Sequence, residues 1–177
     1  MPFPELGTKT VNLSDTEGSI AIHEIAEIIS MWGHIEYHMY RIFEATDPVN
    51  WTKLATGFFS TNSLKKKREE IIKQVSEVFA DDEYLMKIVT EVMTDVSSLA
   101  ETRNLMVHGV WSGERGNYVI QPLRWNTAHS VLQPAQAITA GDLRRAARSA
   151  NFLNQRLASV ACEVLVSEYL SKHRTRI

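Results

Sequence analysis

The sequence contains a single cysteine, Cys162, and this excludes an internal disulfide and any cysteine-built zinc cage. Cys162 falls within a helical apolar pattern and is read as a small core residue. Charge of one sign is also lacking. A formal net charge of -2 over 177 residues gives no global attraction for a polyanion, so nucleic acid would have to be held by local basic segments such as Lys65-Lys66-Lys67-Arg68. The amino terminus shows no basic segment followed by an apolar stretch, and no apolar run approaches the roughly 20 residues of a membrane span. A cytoplasmic protein with no membrane partner is expected. There is no Walker loop and no dinucleotide-binding glycine pattern: Gly113 and Gly116 fall in a turn between candidate strands rather than before a helix, so ATP and NAD lose support and no cofactor is expected. Without an internal repeat, low-complexity linker or second core, residues 1–177 are read as one domain with its core over about 15–170.

What the sequence does have is helical periodicity. Residues 15–45 carry an apolar stripe of Ile25, Ile28, Ile29, Trp32, Ile35, Met39, Ile42 and Phe43, with Ser14 and Glu17 spaced as a capping box. Asp47-Pro48 interrupts it. The polar run 60–63 then offers the N-cap of a second helix over 63–79, with Leu64, Ile71, Ile72, Val75 and Phe79 inward. Asp81-Asp82 opens a third, whose apolar positions are Leu85, Val89, Met93, Val96 and Ala100, and Gly109 is placed to end it. Residues 110–112 and 118–125 read as a short hairpin or an irregular excursion, with Pro122 confining the second strand to an edge. Thr139 and Asp142 form another capping box. Behind them Leu143, Ala146, Ala150, Leu153, Leu157, Val160 and Val164 step by three and four to about Leu170. The expected fold is all-α: a four-helix up-and-down bundle with a short β-hairpin or irregular insertion between helices 3 and 4.

Three charges point inward on this reading. Glu36 projects within the first helix's stripe, Arg68 on the inner face of the second helix and Arg103 between Val96 and Val107 on the third. Buried charges are costly unless paired, so Glu36 is expected to bond Arg68, Arg103 or both, either to fix helix register or to support a site. His34 and His38 lie one turn apart, yet Glu36 between them does not reproduce the HExxH arrangement, so a solvated flank is favoured and no metal is expected. His23, His129 and His173 have no partners at ligand spacing. Trp51, Phe58 and Phe59 have the chemistry to stack on bases, although such aromatics more often belong to a core.

The candidate chemistry lies in Arg103-Asn104-Leu105-Met106-Val107-His108-Gly109. A guanidinium matches phosphate oxygens two at a time, and a histidine transfers protons near neutrality, a combination suited to phosphodiester cleavage. On an ideal helix Arg103 and His108 diverge by roughly 140°. Either the helix loosens at its end, or a phosphate is held between Arg103 of one subunit and His108 of another.

Arg103, Asn104, His108 and Gly109 resemble the signature of the HEPN superfamily, an arginine, a polar residue, then a histidine after a four-to-six-residue gap, commonly followed by glycine. The specific match is residues 103–109; the likeness in helix order covers about 15–170. The resemblance implies a metal-independent endoribonuclease serving as a toxin, in antiviral defence or in RNA processing. His108 would be general acid or base, Arg103 would stabilise the phosphorane, and Asn104 would orient the phosphate or His108. Lys65, Lys66 and Arg68 are candidates for holding the RNA backbone. The resemblance further implies a homodimer with two motifs lining one cleft, and an antitoxin or other protein partner. The alternative is a non-catalytic HEPN-like module that binds a nucleotide or a protein.

Overall fold

Ser63, Asp82 and Thr139 each set the start of a helix, because a side-chain oxygen there satisfies a backbone N–H that the first turn leaves orphaned. Ser63 accepts from the Lys66 amide at 3.3 Å, and Asp82 Oδ1 from the Leu85 amide at 2.9 Å. Thr139 and Asp142 cap reciprocally: the Asp142 carboxylate accepts from the Thr139 amide at 2.8 Å while Thr139 Oγ1 accepts from the Asp142 amide at 3.2 Å. The structure is a computed structural model and describes residues 16–114, 117–122, 125–126, 131–132 and 135–174. The proposed cap at Ser14 and the side chain of Glu17 lie outside what is described, as do His129 and the side chain of His173.

The chain is mostly helical, with a small antiparallel sheet. In order run α1 (Thr16–Thr46), a 3-10 turn (Pro48–Asn50), α2 (Trp51–Ser60), α3 (Leu64–Val78) and α4 (Glu83–His108). Strands β1 (Gly109–Glu114), β2 (Asn117–Pro122), β3 (Trp125–Asn126), β4 (Val131–Leu132) and β5 (Gln136–Thr139) follow, and α5 (Ala140–Arg174) closes the chain. Helix α2 is an element that sequence reasoning missed. It is ten residues long, begins directly after the proline-led turn, and has no side-chain cap bond to announce it.

The fold divides into two compact units, to each of which α1, α4 and α5 contribute residues. One unit contains the described parts of 1–30 and 100–149. Its core is Ala21, Ile28, Met106, Tyr118, Ile120 and Leu143, with Ala146 and Ala147 of α5. The sheet order here is β1-β2-β5, and β3 pairs with β4 separately. Strand β2 is therefore central, which corrects the edge placement expected from Pro122. The reason is register: β5 pairs only with residues 117–120, from Asn117↔Thr139 to Ile120↔Gln136, so Pro122 lies beyond its reach and its missing N–H breaks no bond to β5. On the other side Pro122 stands opposite Gly109.

The other unit contains 31–99 and the described residues from 150 onward. Ile35, Met39 and Ile42 of α1, Ile71 and Val75 of α3, and Val89, Met93 and Val96 of α4 are fully buried within it. The α5 positions read as a seam, from Leu143 to Val164, are buried throughout. Cys162 is not: it is exposed, one residue past buried Ala161 and thus rotated about 100° from it. Ile29 is likewise exposed, although it was assigned to the α1 stripe.

Candidate functional site

Helix α4 ends at His108 because Gly109 begins a strand that packs where no side chain fits. A Cβ at Gly109 would lie 2.1 Å from Ile120 Cγ2 and 2.7 Å from the Leu105 carbonyl oxygen. The exposed carbonyls of the last turn also find a partner, since the Trp111 indole N–H donates to the Met106 oxygen at 2.8 Å. Trp111 meets the fully buried Tyr118 ring edge-on, with centroids 5.9 Å apart. The end of α4 is thus pinned to the sheet that follows it.

On this last turn and a half the structure brings Arg103, Asn104 and His108 together within one chain. Arg103 Nη1 donates to Asn104 Oδ1 at 3.0 Å and lies 3.5 Å from His108 Nε2. The expected divergence of Arg103 and His108 is overcome by the length of the arginine side chain, whose guanidinium bonds Asn104 and reaches the imidazole. A second subunit is not required for the two groups to meet. A guanidinium only donates, so the proximity of Nη1 to Nε2 brings a fixed positive charge beside a group able to transfer protons. Arg103 and Asn104 are half-buried and His108 is exposed, so the cluster faces solvent at its histidine end.

The other assigned residues lie in the unit that contains α3. Lys65 is exposed and pairs with Glu69 at 3.8 Å; Lys66 is exposed; Arg68 is half-buried. Glu36 does not take Arg68. Its Oε1 bonds Lys67 Nζ at 3.1 Å, and Lys67, 8% exposed, also lies over the Phe58 ring at 4.7 Å from the centroid. The correction follows from helix phase. Lys67, Ile71 and Val75 form one i, i+4 row, all buried, whereas Arg68 lies on the flank with half-buried Leu64 and Ile72. The sequence pattern places Arg68 inward beside Leu64, and the structure buries the neighbouring row instead. Among the candidate stacking aromatics Phe58 is core, while Trp51 and Phe59 are exposed.

His34 is exposed and His38 half-buried; burial foremost, then the charges of His34 and Arg41, hold the His38 pKa below its ordinary value. Among the described residues no three His, Cys, Asp or Glu side chains converge in a way that would hold a metal ion. No helix of the described residues is long and apolar enough to cross a membrane. No protein-family model, curated protein or solved structure matches the chain.

Proposed function

We propose that the protein is a metal-independent endoribonuclease of HEPN type, acting at Arg103, Asn104 and His108. The observation that carries this reading is the approach of Arg103 Nη1 to His108 Nε2 at 3.5 Å, with Asn104 holding the guanidinium. His108 Nε2 takes the proton of a ribose 2′-hydroxyl, the oxygen attacks the adjacent phosphorus, and the P–O5′ bond breaks as the 5′-oxygen takes a proton from water, giving a 2′,3′-cyclic phosphate and a 5′-hydroxyl. Arg103 neutralises the charge that builds on the non-bridging oxygens. Asn104 sets the guanidinium's starting position.

On this reading α1, α3, α4 and α5 correspond to the four helices of an up-and-down HEPN bundle, with α2 as an addition and the strands as the insertion. A two-fold homodimer placing two clusters along one RNA-binding cleft belongs to the same proposal, as do a cytoplasmic toxin, defence or RNA-processing role and an antitoxin partner. The test is cleavage of single-stranded RNA in EDTA by the parent and by His108→Ala and Arg103→Ala. Loss of cleavage in both variants with helicity retained supports the proposal. A His108→Ala protein that cleaves as fast as the parent, or a parent inert against varied RNAs, replaces it with the non-catalytic module.

A further inference from the structure

A cavity of about 400 Å³ opens beside α2 and the start of α3, within the range usual for small-molecule sites. Phe43, Leu54 and Phe58 give it an apolar wall, and Lys53, Lys66 and Lys67 bring three cations to its lining against the single carboxylate of Glu70. The pairing of these charges is selective. Lys65 and Lys73 each pair with a glutamate four residues on, and Lys67 is taken by Glu36. Lys66 has Glu70 at the same spacing, yet Glu70 Oε1 accepts instead from Gln74 Nε2 at 3.2 Å. Among the described residues neither Lys66 nor Lys53 has a carboxylate partner. The first turn of α3 contains no acidic residue, so its lysines add to the positive end of the helix dipole rather than offset it.

Gly57 supplies a separate observation. It lies inside α2, where glycine is a poor helix former, and it lines the cavity. Gly57 is exposed, and among the described residues a Cβ there would meet nothing within 4 Å, so packing gives no reason for glycine, and its missing side chain leaves the cavity open on that side.

We infer that this cavity binds a small anion with a flat apolar body, the chemistry shared by mononucleotides and aromatic carboxylic acids. The body lies against Phe43 and Phe58, whose ring is steadied by Lys67, and the acid group is held by Lys53 and Lys66. Nothing in this inference depends on the ribonuclease reading.

The experiment is a fluorescence titration of the full chain with 1-anilinonaphthalene-8-sulfonate, itself a flat apolar anion, followed by competition with AMP, indole-3-acetate and inorganic phosphate. The expected result is one saturable site per chain, weakened about tenfold or more by Lys53→Glu with Lys66→Glu and by Gly57→Leu, which fills the void. Far-ultraviolet circular dichroism checks that each variant remains helical, and the lysine pair decides the outcome if Gly57→Leu does not fold. Displacement by AMP assigns a nucleotide and displacement by indole-3-acetate an aromatic acid. Parent-like affinity in the lysine pair or in the folded Gly57 variant, displacement by phosphate alone, or no saturable binding overturns the inference.

Discussion

Replacing Gly109 with alanine tests the account of how α4 ends. The added methyl would stand 2.1 Å from Ile120 Cγ2 and 2.7 Å from the Leu105 oxygen, both well inside van der Waals contact. Ile120 is fully buried on the central strand, so its side chain has no open space to enter, and the Leu105 oxygen belongs to the helix backbone. Overpacking of a tight core costs about 1–3 kcal/mol, and with two contacts, one of them to backbone, the expectation is about 3 kcal/mol. At roughly 2–4 °C per kcal/mol for a chain of this size, the melting temperature falls by about 6–12 °C. The assay is urea and thermal denaturation followed by circular dichroism at 222 nm. A double-mutant cycle with Ile120→Ala sharpens it, because truncation removes the methyl that clashes first: the pair should be less destabilised than the sum of the single changes by about 1 kcal/mol or more. A Gly109→Ala protein within about 0.5 kcal/mol of the parent, or strict additivity in the cycle, would refute the steric reasoning.

Arg103→Ala and His108→Ala should each abolish RNA cleavage in gel assays, Asn104→Ala should weaken it less because its part is orientation, and His34→Ala should leave it nearly unchanged. Glu36→Ala should destabilise by about 2 kcal/mol, since it strands the buried Lys67 ammonium, whereas Lys67→Met should cost less; urea midpoints in the opposite order would overturn this account. His38 has its pKa lowered in the folded state, so the unfolded chain binds the proton first and stability falls as pH drops below about 6.5. The loss should be shallower in His38→Gln when urea midpoints at neutral and mildly acidic pH are compared. Thr139→Ala should cost about 1 kcal/mol by removing the α5 cap, read from the same denaturation curves.

The long helices were legible because their signals are local. Ser63, Asp82 and the Thr139–Asp142 pair act within a single turn, and the α5 positions from Leu143 to Val164 follow one period over six turns. What escaped depends on partners distant in sequence or on small differences in phase. Pro122 reads as an edge residue by itself, and only the register that ends β5 opposite Ile120 allows it on a central strand. Cys162 and Ala161 differ by one position, and that rotation decides which is buried. Arg68 reads as inward although Lys67, one position before it, is the cation that heads the buried row, where it meets Glu36 and Phe58, thirty-one and nine residues away. At the candidate site the residue types were legible, but the approach of Arg103 to His108 was not, because an ideal helix fixes where a side chain starts and not where a long one ends.

The placement of Arg103, Asn104 and His108 has a consequence for local opening. They lie within the final six positions of a 26-residue helix, where fraying is easiest, and the arrangement lasts only while that turn is closed. The Trp111 bond to the Met106 oxygen and the seating of Gly109 under Ile120 therefore govern how often the cluster is assembled, without touching its chemistry. Amide exchange in the 103–108 turn should be slow relative to an unpinned helix end and should quicken in Trp111→Phe, which keeps an aromatic ring but loses the indole donor. Any activity of the cluster would then fail on warming before the long helices melt, with the tryptophan substitution widening the gap between the two temperatures.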